Sequence, residues 1–366
     1  MHFKTDSRAN LIAVFVVIFI SLQPILSSFC LGQKTSRPKP GLCDRAGFLI
    51  GSAVGMGWLN RDSMMVTLLK NDFNSITPEN CMKPALIHPK QSQYNWTDAD
   101  KLAEFCKKNN FRLHGHTLIW HNQVPDWMKE FKGDSAAFEA IFKEHIQTII
   151  SRYKNKVSSF DVVNEAIADN TGKWRKTFWL DRLGKDYIAR AFKYAKAVAP
   201  DVKLFYNDYS FESESLKREL ALKMVNDFKN RGIPIDGIGI QMHIRVDQPV
   251  LKEIEETLTK FAKTGLLIHI SELDISFNEN NKEPQYKTFN PAMASLQKQR
   301  YEDVVGAYNR IVPICQQYGI TIWGFADKYN WIRPFFKHPD WPVIYNDSLR
   351  RKPAWDGFAK GLTNKN

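Results

Sequence analysis

Two glutamates stand where a chain could use them as a pair. The run Ser158 to Val163 is aromatic and β-branched, with no helical spacing, and it finishes in Asn164-Glu165. The run Leu266 to Ser271 has the same form and delivers Glu272, with Asp274 two residues further on. A carboxylic acid at the rim of an apolar strand is a candidate general acid, because desolvation favours its neutral form. Two such groups brought face to face can break a glycosidic bond: one protonates the departing oxygen and the other attacks carbon or activates water. Taken singly, either is more readily a solvated or salt-bridged residue. The pairing carries the signal.

Other strand ends are polar as well. They read Thr77-Pro78-Glu79-Asn80, His114-Gly115-His116 through Trp120-His121, Asn207-Asp208, Gln241-Met242-His243, and Trp323 through Asp327. If these ends converge on one face, their amide, imidazole, carboxylate and indole groups describe a sugar-binding cleft. His116 shares a strand face with the other polar ends and reads as functional, whereas His121 reads equally well as a core histidine. His269 sits inside an apolar run and reads as structural. Trp174 and Trp179 read as loop packing. The chain has no HExxH and no Cys/His ligand spacing, so neither a metal nor a cofactor is expected.

Positioning these residues requires strands that alternate with helices. Strand-like runs cover Gly47–Val54, Phe73–Thr77, Arg112–Trp120, Ser158–Asn164, Lys203–Tyr206, Gly237–Ile244, Leu266–Leu273 and Gly319–Phe325. Helix-like runs follow at Asp62–Lys70, Asp98–Asn109, Ala136–Tyr153, Asp186–Val198, Glu214–Asn230, Pro249–Lys263 and Leu296–Gln317, with a last one near Pro353–Gly361. The helix from Pro249 is expected to open after Asp247 as N-cap and to stop at Gly265. Strict alternation predicts an α/β fold, a (β/α)₈ TIM barrel in a single catalytic domain over 41–362. Gly51, Gly55 and Gly57 lie after the first strand without the spacing of a dinucleotide site.

Composition agrees with a globular chain: 43% of the 366 residues are hydrophobic and 25% charged, enough to bury a full core. Aromatic residues make up 13%, including ten Trp, which suits flat rings stacked on pyranose faces. The net charge of +12 raises nucleic acid as a partner, yet Lys and Arg are scattered along helices with no basic run. A solvated basic surface and no nucleic-acid partner are expected. Lys4 and Arg8 precede the apolar segment Leu11–Ile20, too short for a membrane span; residues 1–32 read as a signal peptide and 33–40 as a linker. The expected product is a secreted monomer, extracellular or periplasmic, with no transmembrane domain. Of the five cysteines, Cys43, Cys81, Cys106 and Cys315 read as small buried residues, although export would permit a Cys43–Cys81 disulfide.

At this point the motifs resemble a family. TPEN-x-MK (Thr77–Lys83), GHTLIWH (Gly115–His121), DVVNEA (Asp161–Ala166), YNDY (Tyr206–Tyr209), GIGIQMH (Gly237–His243), SELDI (Ser271–Ile275) and WGFAD (Trp323–Asp327) occur in the order of glycoside hydrolase family 10 endo-β-1,4-xylanases. The resemblance implies xylan and xylo-oligosaccharides as substrates, Glu165 as acid/base and Glu272 as nucleophile. It implies that Asn164 bonds the sugar 2-hydroxyl, that His243 and Asp274 form a relay beside the nucleophile, and that Gln241 falls near the acid/base. Glu79, Asn80, Lys83, His116, Trp120 and Gln123 match residues that hold the glycone side; Trp323 and Trp331 match aromatic walls. Four positions depart from the usual pattern: Pro84 follows Lys83 in place of Trp, Asn330 replaces Ser, Tyr329 is bulky, and Ser271 replaces Thr.

Two other functions stay open on sequence alone. A catalytically dead carbohydrate-binding barrel would have lost a carboxylate, and this chain keeps both. A retaining β-glycanase acting on mixed-linkage glucan or cellulose would share the Asn-Glu strand end. The Glu79, Asn80 and Lys83 set favours xylan, because crowding there leaves little room for a hydroxymethyl at C5.

Overall fold

The computed structural model describes residues 40–278 and 283–363, so the segment read as signal peptide and linker lies outside it. Eight parallel strands form the body of the fold: β1 (Ile50–Val54), β2 (Ser75–Pro78), β3 (Arg112–Gly115), β4 (Ser159–Asn164), β5 (Lys203–Asp208), β6 (Gly237–Ile240), β7 (Leu267–Ser276) and β8 (Gln317–Ile322). Each pairs with the next, and β8 pairs back with β1, which closes the barrel predicted from the alternation. Closure removes the exposed sheet edge that an open parallel sheet would leave.

Two strands expected to be continuous are broken. Arg112–Trp120 splits into β3 and a short piece Ile119–Trp120 that pairs with β4, and a cis peptide joins His116 to Thr117 between them. Gly237–Ile244 splits into β6 and His243–Arg245, which pairs with the far end of β7. The gap holds Met242 in the left-handed region at φ 63°. A non-glycine residue there costs roughly 1–2 kcal/mol, and the turn re-aims Gln241 and His243.

The helices follow their capping chemistry. Asp134 caps Ser135–Tyr153 by accepting from Ala137 N at 2.8 Å, and that helix buries Phe138, Phe142, Ile146 and Ile149 against the barrel. Leu251–Ala262 starts later than expected. Asp247 accepts from Arg245 Nε instead of capping, and Pro249 disfavours helical backbone at Gln248. Its C-terminal stop at Gly265 holds, with φ 74°. The long helix spans Pro291–Ile311 rather than Leu296–Gln317: Asn290 caps it onto Met293 N, and Pro313 ends it.

The barrel interior is more polar than an aliphatic plug. Arg112 donates to Ser75 Oγ at 2.9 Å and to the Tyr318 carbonyl at 2.6 Å, while His114 Nδ1 lies 2.6 Å from Ser159 Oγ. His269 bonds Thr321 Oγ1 at 2.8 Å, fully buried, which bears out its structural reading. These partners offset part of the desolvation of these buried groups, while Arg112 Nη2 and His269 Nδ1 are left without a hydrogen-bond partner among the described residues. Cys81 and Cys106 are buried free thiols, each pushed up to about 12 by burial, and Cys43 and Cys81 do not form a disulfide. Cys315 is exposed, against expectation. It sits in a 3₁₀ turn, Ile314–Gln316, outside the long helix expected to bury it.

Candidate active site

Backbone irregularities aim the carboxylates. Along β7 and β8, Ile270 pairs with Ile320 and Leu273 with Ile322, so two residues, Ser271 and Glu272, face one. This bulge lets both point inward, where strict alternation would send one outward. β4 carries a similar shift between Asp161 and Val163 against Phe205 and Tyr206. It allows Asp161 and Asn164, three apart, to share the interior face. Glu165 follows at φ 58°, and this left-handed step turns its carboxylate off the strand into the cleft.

The cleft holds about 1290 Å³ and opens at the C-terminal ends of the strands. Glu79, Asn80, Lys83, His116, Trp120, Gln123, Asn164, Glu165, Gln241, His243, Glu272, Trp323 and Trp331 all line it. Asp274 does not; it lies fully buried behind His243. Every residue given a catalytic or substrate-binding role from the sequence is therefore at this one face or, for Asp274, directly behind it.

Glu165 accepts from Trp120 Nε1 at 2.7 Å on Oε2, and from Gln241 Nε2 at 2.9 Å and Asn164 Nδ2 at 3.1 Å on Oε1. Glu272 accepts from Asn207 Nδ2 at 2.7 Å on Oε1, and its Oε2 lies 3.2 Å from His243 Nε2. His243 Nδ1 lies 3.0 Å from Asp274 Oδ2, which also accepts from Trp331 Nε1 at 2.8 Å. Burial would push the His243 ring toward the neutral form, but the two carboxylates at its nitrogens raise it well above its ordinary value. The two carboxylates at its nitrogens therefore favour the protonated ring. Burial likewise works against ionised Glu272, yet hydrogen bonds from His243 and Asn207 and the nearby His116 hold its carboxyl below the usual range. His116 is itself bonded through Nδ1 to Asp161 at 2.8 Å, and Asp161, flanked by His114 and His116, is held low despite its burial.

On the next part of the cleft, Lys83 Nζ bonds Asn80 Oδ1 at 3.2 Å and lies over the Trp120 ring at 4.8 Å and the Trp323 ring at 5.9 Å. Burial pushes the Glu79 carboxyl up and the Lys83 ammonium down, the latter opposed by Glu272, Glu79 and Glu165. This cluster offers donors and acceptors to sugar hydroxyls. The departures from the motif pattern fit locally. Pro84 starts the short helix Pro84–Ile87, Ser271 Oγ donates to Asn207 Oδ1 at 2.6 Å, and Asn330 Oδ1 accepts from Ile332 N at 2.8 Å.

The sequence reading assigned no role to Asn207, whose amide also donates to Asn164 Oδ1 at 2.9 Å and so ties the surroundings of the two glutamates together. Its motif, Tyr206 to Tyr209, was visible; its partners on β4 and β7 were not. Gly239 makes room for it, since a Cβ there would stand 2.1 Å from Asn207 Oδ1. Trp179, read as loop packing, donates to the Trp120 carbonyl at 2.8 Å and so supports a cleft residue. His121 lines the cleft with Nδ1 3.8 Å from Glu165 Oε2, and burial lowers its pKa. Glu212, also unassigned, lines the cleft almost fully buried.

A closed (β/α)₈ barrel with two differently surrounded carboxylates in a hydroxyl-binding cleft defines a glycoside hydrolase. Residues 41–361 match the glycosyl hydrolase family 10 description, and the chain belongs to that family. It is 41% identical over 302 residues to a β-1,4-xylanase of Dictyoglomus thermophilum, covering 80% of this chain and 83% of that one. It is 39% identical to endo-1,4-β-xylanase A of a Caldicellulosiruptor species, covering 86% of this chain but spanning about half, 47%, of that longer protein. Among solved structures it is similar to native xylanase 10C of Cellvibrio japonicus, with a TM-score of 0.86 and 35% identity over 90% of this chain and 74% of that one.

Proposed function

We propose that the protein is a secreted, retaining endo-1,4-β-xylanase that cleaves internal bonds of xylan by double displacement. Endo-1,4-β-xylanase activity follows from membership of the family and from the xylanases it resembles. The division of labour rests on one observation: Glu272 lies against the ring of His243, whose pKa is raised, and the amide of Asn207. Both favour the ionised form, as a nucleophile needs.

In the first step a Glu272 carboxylate oxygen attacks the anomeric carbon while Glu165 gives its proton to the departing oxygen. The C–O bond to the leaving sugar breaks and an ester to Glu272 forms. In the second step Glu165, now a carboxylate, takes a proton from water; the water oxygen bonds the anomeric carbon and Glu272 leaves. Two inversions return the β configuration. Trp120 and Gln241 orient the Glu165 carboxyl, Asn164 bonds the 2-hydroxyl, and Asp274 holds His243. Glu79, Asn80, Lys83, His116, Trp120 and Gln123 hold glycone hydroxyls between the walls of Trp323 and Trp331.

Glu79, Asn80 and Lys83 crowd the glycone side and leave little space for the hydroxymethyl of a hexose, which favours xylan over cellulose or mixed-linkage glucan. The test is a fresh digest of xylo-oligosaccharide followed by proton NMR, beside rates on xylan and carboxymethyl-cellulose. Retention shows β-anomer first, with α arriving by mutarotation, and xylan far outpaces the glucan. First-formed α-anomer, or equal rates on the two polymers, contradicts the reading. Export is supported by the basic start and short apolar run at Leu11–Ile20. Intact-mass analysis of native protein should find about the first 30 residues missing; a mass beginning near Met1 contradicts it. Among the described residues no helix is long and apolar enough to cross a membrane.

A further inference from the structure

At the Glu79 and Asn80 end of the cleft stands a tyrosine held from several sides. Tyr329 ends the 3₁₀ turn Asp327–Tyr329, and Asp327 anchors that turn through a buried ion pair with Lys352 at 3.0 Å. The Tyr329 phenol donates to Asp62 Oδ2 at 2.9 Å. Lys328 Nζ bonds the same oxygen at 3.1 Å and lies 5.0 Å from the ring centroid. Asp62 is itself fixed, because it caps the helix Ser63–Asp72 by accepting from Met65 N at 3.1 Å. The segment after β8 is thus pinned to the neighbouring segment after β1 at the rim of the barrel.

Despite these anchors the residue remains 38% exposed. A core tyrosine would be buried, and a solvated one would gain nothing from the tether. Tyr329 borders the main cleft and a second cavity of about 570 Å³, and Glu79 and Asn80 are shared by the same two spaces. The second cavity is lined by Trp58, Arg61 and Asp98. The Arg61 guanidinium has no hydrogen bond or ion pair among the described residues, so it can donate to an incoming hydroxyl.

We propose that Tyr329 is a specificity-determining residue, the stacking platform for a third β-1,4-linked xylose unit on the glycone side. The assignment rests on the xylanase reading above, in which Glu79, Asn80 and Lys83 hold the two units nearest the cleavage point. A flat ring whose torsions are already fixed loses little rotamer freedom when a sugar settles on it, so most of the contact energy appears as binding. Lys328 accompanies the ring near one face and leaves the opposite face to the sugar. Arg61 and Asp98 then meet the hydroxyls that project past the ring edge.

The experiment compares hydrolysis of two substrates with the same aryl leaving group, a β-xylobioside and a β-xylotrioside, by the full chain. The readout is the ratio of kcat/KM for the longer over the shorter, which is internal to each preparation and cancels any loss of folded protein. Tyr329→Ala should lower that ratio at least about threefold, within the range of a single aromatic contact. Tyr329→Phe keeps the ring and should retain most of the wild-type ratio. An unchanged ratio in Tyr329→Ala overturns the proposal. A raised ratio also overturns it, because the ring would then be a wall that excludes the third unit. Failure of the wild-type protein on both xylosides would instead sink the xylanase reading.

Discussion

Asn207 donates to Glu272 Oε1 at 2.7 Å, one of the shorter hydrogen bonds in the cleft, from a strand two places away around the barrel. Ser271 and Gly239 hold that amide in place, the first by a hydrogen bond and the second by leaving space. A hydrogen bond to a charged group contributes about 1.5–3 kcal/mol. Asn207→Ala should therefore lower kcat/KM on xylan by about 10- to 100-fold, with far-UV circular dichroism unchanged. Gly239→Ala should produce part of the same loss by displacing the amide. Near wild-type kcat/KM in Asn207→Ala would remove the amide from the account.

The raised pKa of His243 sets a pH dependence. Glu272 has a lowered pKa, so it stays ionised to lower pH than an ordinary carboxylate, and activity should persist correspondingly far into acid. His243→Asn removes the positive charge, and the acid limb of the kcat/KM profile should move to higher pH. The ring's own pKa is raised, so its pairing stabilises the fold fully below 6.5 and is lost only as pH rises through the raised value. The melting-temperature deficit of the variant should accordingly be largest below pH 6.5 and shrink as pH rises into alkali. An unmoved acid limb contradicts this role.

How much of this was legible beforehand follows from which signals are local. The barrel was visible because strand and helix periods alternate along the chain, and both glutamates were visible because each ends an apolar run. The bulge at Ser271–Glu272 was not, since it exists only against Ile320 and Ile322 of β8. Period-two reasoning would put those two side chains on opposite faces. Asn207 was seen as a strand end, but its partners are supplied by two other strands. The breaks after Gly115 and Ile240 interrupt runs whose composition favours strand throughout, so tertiary pairing overrode propensity there. Glu212 sits in a loop with no periodic signal at all.

That loop residue yields a stability prediction. Glu212 is buried, its Oε2 has no hydrogen-bond partner, and burial raises its carboxyl to about 7 against the partial compensation of His243 and Lys217. Glu214 adds to the rise, and Arg300 lies within electrostatic reach. A raised pKa means the contribution to stability is full below 4.5 and is lost as pH climbs through about 7. Glu212→Gln should abolish that decline, flattening the melting temperature between those limits and gaining up to about 3 kcal/mol at pH 8 relative to wild type. Parallel pH curves for the two proteins would contradict it.

The roles of the two glutamates separate by leaving group. Glu165→Ala should nearly abolish xylan cleavage but still form the glycosyl-enzyme from aryl xylosides whose departing phenolate needs no proton. Glu272→Ala should lose that step with every leaving group. Pre-steady-state release of the phenol in the two variants checks this, and an identical response to leaving-group acidity would reverse or erase the assignment.

The central claim, that Glu272 forms the bond to the anomeric carbon, is tested most directly by trapping. A 2-deoxy-2-fluoro-β-xylobioside with a good leaving group should inactivate the enzyme by slowing hydrolysis of the intermediate more than its formation. Peptide mass mapping of the inactivated protein should then find one fluoroxylobiosyl group, esterified to Glu272 in the peptide around Ser271–Ile275. A label on Glu165 or any other residue would contradict the account, as would inactivation-free turnover with α-configured product.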